Sequence, residues 1–273
     1  MKFLQNKGGR IQFLRFQDIG ETQSEGKSVY LGTDEVGQSY WAIDVSSDSE
    51  KLQRLVNEGT FVDTMPASLS LPHFEAALIA QARPMVDWNT RYVFCPACGS
   101  ETKSVEAGHK RICKNQECIA HKGVQNFAYP RTDAVVIIAV KSMDGKKILL
   151  GRQSRWPALR YSCIAGFMEC GESIEEACRR EVMEESGVDV GSVSYHSSQP
   201  WPFPSQLMIG CIGQAKSESI SLADKELEDA QWFEREEVLL ALSNSSKIIK
   251  LPPPTAIAHK LIKTWAETQH PKI

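Results

Sequence analysis

The sequence has little net charge and no long apolar segment. Its 273 residues carry a formal net charge of −3, so no global field draws the chain to nucleic acid or to an anionic membrane. The longest unbroken apolar run is residues 134–140, far below the roughly 20 residues of a membrane-spanning helix. The first residues, MKFLQNKGGR, lack the apolar core of a signal peptide. We therefore expect a soluble, intracellular protein.

A cytoplasmic location is the first expectation. The last residues, Pro271-Lys272-Ile273, faintly resemble the Ser-Lys-Leu peroxisomal address, although proline replaces the usual small residue. A peroxisomal location is therefore the alternative.

The chain is long enough for more than one folded unit, and its composition divides it into three. Residues 1–92 contain short strand-like runs and one helical stretch that Pro84 is expected to interrupt. They predict an α+β domain for packing, placement or dimerisation. Residues 93–128 hold four cysteines and too little apolar material to fold without a staple. Residues 129–273 again have the apolar strand patterns of an ordinary core.

Four of the eight cysteines form two close pairs. Cys95 and Cys98 are separated by two residues, and Cys113 and Cys118 by four, with fourteen residues between the pairs. This spacing suits a tetrahedral Zn²⁺ held by four thiolates, and such a closed set predicts a structural rather than a catalytic ion. The alternative is four unrelated buried thiols. The remaining four cysteines are expected to be free thiols in a reducing compartment.

Residues 173–186 predict an amphipathic helix in which acids share the apolar side. Ser173 followed by Glu176 is a capping box, and Gly187 is a stop signal. At about 100° per residue, one arc holds both kinds of side chain: Ile174, Ala177, Cys178, Glu181, Glu184 and Glu185. Carboxylates on a buried side are costly unless they are paired or bound to a metal. The bland alternative is a surface helix rich in ion pairs between successive turns.

Hard divalent cations would neutralise these acids. Mg²⁺ or Mn²⁺ takes carboxylate oxygens and bridges to substrate phosphates. Arg180 lies at the edge of the arc, where it can pair with a carboxylate and hold its orientation. Gly166 and Gly171 fit a loop that bends sharply and brings backbone close to a ligand.

The spacing of these residues resembles the signature of the Nudix hydrolases at every fixed position. Gly166 is followed after five residues by Glu172, after seven more by Arg180-Glu181-Val182, and then by Glu184-Glu185 and Gly187-Val188. The resemblance implies an α/β fold, namely an α/β/α sandwich with a mixed sheet. It also implies hydrolysis of a nucleoside diphosphate linked to another moiety, with metal ligation by the three helix glutamates Glu181, Glu184 and Glu185.

A second stretch, SQPWPFP at residues 198–204, resembles a motif of the NADH pyrophosphatase subfamily. That subfamily also carries a four-cysteine zinc ribbon and a Tyr-Pro-Arg junction, here residues 129–131. One position departs from the motif, because Gln206 stands where the second serine is expected and Ser205 precedes it. A rigid structural loop with a buried Trp201 is the alternative interpretation.

The resemblance implies a set of site residues beyond the helix. Substrate contacts are expected from Tyr129, Ala165, Phe167, Gln199, Pro200, Trp201, Pro202, Phe203, Pro204, Ser205, Gln206 and Ala258. Tyr129 and Phe167 would flank the nicotinamide, and Tyr129 would serve the partner subunit of a homodimer. Glu226 would be a further metal ligand, although by itself it is one acid in a run that looks solvated.

These residues predict an NAD(H) diphosphatase that converts NADH, and NAD⁺, to nicotinamide mononucleotide and AMP. One alternative is removal of NAD caps from RNA 5′ ends, for which a basic path could include Lys103, Lys110, Arg111 and Lys114. The other alternative is an inactive Nudix scaffold that acts as a binding module. The sequence retains all the metal-binding glutamates, which disfavours that last interpretation.

Overall fold

The computed structural model describes residues 1–19, 28–122, 128–223 and 225–268. The chain divides into two compact units. The first is Met1–Thr132 together with Trp201–Ser205, and the second is Asp133–Pro200 together with Gln206–Ile273. The peroxisomal prediction rests on residues 271–273, which lie outside the described residues. Every helix in the described ranges is too short or too polar to cross a bilayer.

The first unit is built from short antiparallel strand pairs and helices. Its strands are β1 (Lys2–Gln5), β2 (Ser28–Thr33), β3 (Ser39–Ile43), β4 (Thr60–Asp63), β5 (Thr102–Val105) and β6 (Lys110–Cys113). They pair as β1 with β4, β2 with β3, and β5 with β6. Its helices are α1 (Phe16–Ile19), α2 (Ser49–Leu55), α3 (Thr64–Ser68) and α4 (His73–Arg91), with 3₁₀ turns at Glu106–Gly108 and Ile119–His121.

Helix α4 continues through Pro84, so the predicted interruption there is wrong. A proline inside a helix removes one backbone hydrogen bond. The buried side of α4 offsets that loss, because Ile79, Met85 and Trp88 pack on both sides of the proline. The carboxylate of Glu75, also buried, accepts the backbone N–H of Ile11 at 2.8 Å.

The second unit contains a mixed sheet. Its strands are β7 (Asp133–Lys141), β8 (Lys147–Arg152), β9 (Ile164–Phe167), β10 (Val190–Trp201), β11 (Gln206–Ala215) and β12 (Asp229–Glu234). In the described ranges they follow the order β10-β11-β7-β8-β12, with β9 also paired to β7. β11 runs parallel to β7, whereas β8 and β9 run antiparallel to it. The register of β9 places Gly166 opposite Val136 and Phe167 opposite Val135.

Helices cover both faces of this sheet. They are α5 (Ile174–Ser186), α6 (Arg235–Leu242) and α7 (Ile257–Glu267). Val136, Ile138 and Val140 of β7 share one core with Ala177 and Val182 of α5. Side chains alternate along a strand, so the intervening residues of β7 point to the other face, and α7 packs there against β7 and β11. The predicted α/β/α sandwich is thereby confirmed.

Candidate active site

Helix α5 begins and ends where the sequence predicts. The Ser173 hydroxyl accepts the backbone N–H of Glu176 at 3.3 Å, and the Glu176 carboxylate accepts the backbone N–H of Ser173 at 2.8 Å. At the other end, Gly187 has a φ of 71° and ends the helix in the left-handed region. These caps fix both ends of the element that carries the acids.

The glutamates of α5 differ in burial. Glu181 and Glu185 are 9% and 3% exposed, whereas the side chain of Glu184 is 54% exposed. The prediction that all three share the buried side is therefore wrong for Glu184. Its carboxylate lies at the margin of that side, where it accepts a hydrogen bond from Arg180 Nη1 at 3.0 Å.

Arg180 joins the helix to the loop that follows β9. Its Nε and Nη2 donate to the two oxygens of Glu172 at 2.5 and 2.8 Å, and Nη2 also donates to the carbonyl of Phe167 at 2.8 Å. Its Nη1 donates to Glu181 at 2.8 Å. Hydrogen bonds from Arg180 lower the pKa of Glu172 to about 2, so that carboxylate stays ionised. The pairing of Arg180 was predicted, but its forked contact with Glu172 was not.

The carboxylate of Glu181 lies against the backbone of β9. A Cβ at Gly166 would lie 1.9 Å from the carboxyl carbon of Glu181, so only glycine fits this close approach. Burial raises the pKa of Glu181 above its ordinary value; Arg180 opposes this shift, and the charges of Glu184 and Glu226 add to it. Glu226 is exposed, yet it lies near enough to Glu181 to act on that carboxyl group.

The structure brings together the predicted zinc ligands more tightly than the predicted carboxylate ligands. The four cysteines form a compact group, in which the ligand atoms all lie within 4.8 Å of one another. Among the described residues, it is the group of three or more potential metal ligands that meets this distance. The four glutamates do not form such a group, and Arg180 binds two of them. Their chemistry nevertheless suits a hard divalent cation, because carboxylate oxygens are ligands that Mg²⁺ and Mn²⁺ prefer.

The cysteine geometry fits a tetrahedral zinc site. The Sγ atoms of Cys95 and Cys118 are 3.8 Å apart, and those of Cys98 and Cys113 are 3.5 Å apart. Four thiolates at about 2.3 Å from one Zn²⁺ would be about 3.8 Å from one another. Hydrogen bonds from Ser100 lower the pKa of Cys98 to about 6, while burial raises the pKa of Cys113 to about 12. The four remaining cysteines are also free thiols.

Some predicted substrate residues lie in the second unit. Ala165 and Phe167 are on β9, and Phe167 is 54% exposed. The side chain of Gln199 accepts the backbone N–H of Ile257 at 2.7 Å and donates to the carbonyl of Thr255 at 2.8 Å. Gln199 therefore fixes the start of α7, where Ala258 is buried. Pro200 lies in β10, and Gln206 begins β11.

The other predicted substrate residues lie in the first unit. Tyr129 is 58% exposed, and the Lys110 ammonium lies 5.7 Å from its ring centroid. In the segment Trp201–Ser205, the rings of Trp201 and Phe203 meet edge to face with centroids 5.4 Å apart. Trp201 is half-buried, whereas Pro202 is buried. Arg83 of α4 contacts this segment, a contact for which the sequence offers no signal because 119 positions separate Arg83 from Pro202.

Three family models match the chain in succession. The NADH pyrophosphatase-like rudimentary NUDIX domain matches residues 2–88, the NADH pyrophosphatase zinc ribbon domain matches residues 91–118, and the NUDIX domain matches residues 130–251. A relative named NAD-capped RNA hydrolase, from Schizosaccharomyces pombe, is 40% identical over 278 residues, which cover 92% of this chain and 74% of the relative. The chain belongs to the Nudix hydrolase family.

Two further relatives of this Nudix chain are human proteins. NAD-capped RNA hydrolase NUDT12 of Homo sapiens is 50% identical over 224 residues, which cover 82% of this chain and 48% of the relative. NAD(P)H pyrophosphatase NUDT13, mitochondrial, of Homo sapiens is 37% identical over 263 residues, which cover 89% and 72%. The Nudix chain spans about half the length of the NUDT12 relatives it matches.

Most of the basic residues suggested for RNA binding are buried or ion-paired in this Nudix protein. Arg111 is 5% exposed and donates to Asn89 and Thr102, so it was wrongly placed on a surface path. Lys110 pairs with Glu106 at 3.1 Å. Lys114 likewise pairs with Glu101, at 2.9 Å, while Lys103 is exposed. Of the four residues of this path, one is therefore buried, two are ion-paired and one is exposed.

Proposed function

We propose that this Nudix protein hydrolyses the diphosphate bond of NADH and of NAD⁺, releasing nicotinamide mononucleotide and AMP. The observation that carries the proposal is the pair of buried carboxylates on α5, Glu181 and Glu185, of which Glu181 accepts a hydrogen bond from an arginine held by Glu172. Buried acids of this kind are costly unless they are paired or bind a cation. The match to the NADH pyrophosphatase zinc ribbon supports the choice of substrate.

The proposed cation ligands are Glu181, Glu184, Glu185 and Glu226, for Mg²⁺ or Mn²⁺. Ions bound there would screen the negative charge of the diphosphate and polarise the attacked phosphorus. Arg180 orients the Glu181 and Glu184 carboxylates through its Nη1. Because Arg180 is itself anchored on Glu172 and on the Phe167 carbonyl, the acids are held against a fixed loop.

The nucleotide is proposed to bind the residues that the motifs indicate. Phe167 and Tyr129, both more than half exposed, would flank the nicotinamide, with Tyr129 serving the partner of a homodimer. Ala165 and Ala258 would line the nucleotide site. Zinc in the four-cysteine set would stabilise residues 93–128 between domains at residues 1–92 and 129–273. The location proposed is cytoplasmic, which imaging of the tagged chain would test.

Removal of NAD caps from RNA is the second candidate, because relatives 50% and 40% identical are named NAD-capped RNA hydrolases. It breaks the same bond. The ion-paired lysines of the ribbon argue against an extended RNA path there. Turnover of NAD-capped RNA and of free NADH should be compared across a salt series. If turnover of the capped RNA falls steeply with rising salt while turnover of NADH does not, the protein contacts phosphates beyond the cap.

The deciding experiment is AMP release from NADH by the wild-type protein and by Glu185→Gln under Mg²⁺ and Mn²⁺. Glu185→Gln should lower kcat by about 100-fold or more, as loss of one electrostatic group in an active site does, with zinc content unchanged. Glu175→Gln is the matched control, because Glu175 is exposed on the same helix. Wild-type protein that releases no AMP would favour the inactive scaffold. Near-full activity in Glu185→Gln would refute the carboxylate cluster.

A further inference from the structure

One arginine holds the proline-rich segment that carries the two predicted substrate-binding rings. Arg83 of α4 donates from Nη1 to the carbonyl oxygens of Pro202 and Pro204, the second at 3.1 Å. Its guanidinium carbon lies 5.1 Å from the ring centroid of Phe203. All of these residues belong to the first compact unit.

The segment depends on an outside donor because its own backbone supplies few. Prolines have no N–H, and the N–H of Phe203 already donates to the carbonyl of Trp201 at 2.7 Å. The carbonyls of Pro202 and Pro204 lie on either side of Phe203, and both accept from Arg83. A planar guanidinium can donate to both carbonyls while it lies over an aromatic ring, which a lysine ammonium does less well.

Another part of the Arg83 guanidinium is in an unfavourable environment. Burial lowers the pKa of Arg83, Asp87 one turn further along α4 opposes that shift, and Arg91 adds to it. The Nε of Arg83 is buried and has no hydrogen-bond partner among the described residues. A buried donor without a partner is destabilising. The favourable polar contacts given by the structure for this guanidinium therefore converge on Pro202 and Pro204.

We propose that Arg83 is a positioning residue, which fixes Phe203 and, through the edge-to-face contact, Trp201 in the orientation that binds the dinucleotide. This inference rests on the proposed function. It gives the N-terminal domain a definite role, because α4 would then set substrate affinity without contacting the substrate. The chemistry on the diphosphate would be left to the glutamates.

The test uses the zinc-loaded 273-residue chain as wild type, together with the variants Arg83→Ala, Arg83→Lys and Arg91→Ala. Arg91→Ala is the matched control, because the side chain of Arg91 lies on the same helix, is 71% exposed and pairs with Asp87. Each protein is assayed for NADH turnover and for the Mg²⁺ concentration that gives half-maximal rate. Hydrogen exchange of a peptide covering residues 201–206 is measured by mass spectrometry without substrate.

Arg83→Ala should raise KM for NADH about tenfold, the loss expected for a cation–π contact together with a charge-assisted hydrogen bond. Its kcat should stay within about twofold and its Mg²⁺ requirement should not change, because the glutamates are untouched. Arg83→Lys should restore part of the affinity, since it keeps the charge and a donor. Both variants should speed exchange of the 201–206 peptide, and Arg91→Ala should match the wild type.

Wild-type KM in Arg83→Ala, with active wild-type protein, would overturn the role of Arg83 alone. Faster exchange without a change in KM would also overturn it, because the segment would then be held by Arg83 but would not bind substrate. If Arg83→Ala does not fold, Arg83→Lys decides: a KM equal to that of the wild type refutes the inference. A wild-type protein inactive on NADH would instead refute the proposed function on which the inference rests.

Discussion

Replacing Gly166 by alanine tests whether the position of the Glu181 carboxylate matters to catalysis. The added Cβ would lie 1.9 Å from the carboxyl carbon and from one oxygen of Glu181, and 2.2 Å from the other oxygen. Non-bonded heavy atoms do not pack that closely, so either the Glu181 carboxylate or the β9 backbone must move. The β9 backbone is held by its pairing with β7, in which Gly166 lies opposite Val136. We therefore expect the side chain of Glu181 to move.

The displacement can be estimated from the geometry. Moving from 1.9 Å to the 3.4 Å of an ordinary contact requires a shift of about 1.5 Å. Misplacement of a catalytic group by about 1 Å costs about 100-fold in rate. Gly166→Ala should therefore lower kcat at least about 100-fold, or about 2.7 kcal/mol of transition-state stabilisation. Crowding of the site should also cost about 1 to 3 kcal/mol of folding stability.

The assay is steady-state AMP release from NADH, with calorimetry to confirm that each variant is folded at the assay temperature. Gly191→Ala is the matched control in the same unit. Its Cβ would meet the flexible end of Lys216 at 3.1 Å, so the lysine can move aside. This control should keep a kcat within about twofold of the wild type.

Two results would contradict this reasoning. Gly166→Ala could turn over NADH within about threefold of the wild type, too little for a displaced catalytic group. Alternatively, a crystal structure of the variant could show Glu181 in its original place while kcat has fallen. The first would remove Glu181 from the chemistry, and the second would show that the loss arises elsewhere.

Two further predictions concern the first unit. Elemental analysis should find one zinc per chain, and a chelator that removes it should expose the Cys95–Cys118 segment to proteolysis, because a four-thiolate site supplies the folding energy of such a segment; zinc-free, protease-resistant protein would contradict this. Burial raises the pKa of Glu75, but hydrogen bonds from Arg10 and the Ile11 amide outweigh it and leave the pKa below 4.5. The resulting stability is present above pH 4.5 and is lost as pH falls through the lowered pKa. Urea unfolding should show that the wild type and Glu75→Gln differ less in their free energy of unfolding at pH 3 than at pH 7. The same difference at both pH values would refute this linkage.

Local features of the site could be predicted because a few adjacent residues determine them. The caps of α5 depend on Ser173, Glu176 and Gly187, which act within one turn. Gly166 was predicted to lie in a sharp loop close to a ligand; that is wrong, because it lies within β9, where the group close to it is the Glu181 carboxylate. Pro84 shows the limit of local reasoning, because tertiary packing of α4 outweighed the loss of one hydrogen bond.

The residues that were missed or misplaced owe their positions to contacts between distant parts of the chain. Arg111 looked like a surface residue among lysines, but Asn89 and Thr102 provide buried acceptors for it. Arg83 has no sequence feature that relates it to Pro202. Spacing along one helix could not determine how deeply Glu184 is buried, because its exposure depends on Arg180 and on the loop that anchors Arg180.

The charges around α5 also bear on how many cations the proposed site would bind. Arg180 makes its forked contact with Glu172, and that contact, with those to Glu181 and Glu184, raises the pKa of Arg180, so the positive charge is firmly held. The four proposed ligands, Glu181, Glu184, Glu185 and Glu226, carry up to four negative charges, and two of them, Glu181 and Glu184, share the Nη1 of Arg180. Two divalent ions would balance four such charges, whereas one would balance only two of them. On the proposed assignment, therefore, the protein supplies enough carboxylate charge for two cations, before the diphosphate adds its own.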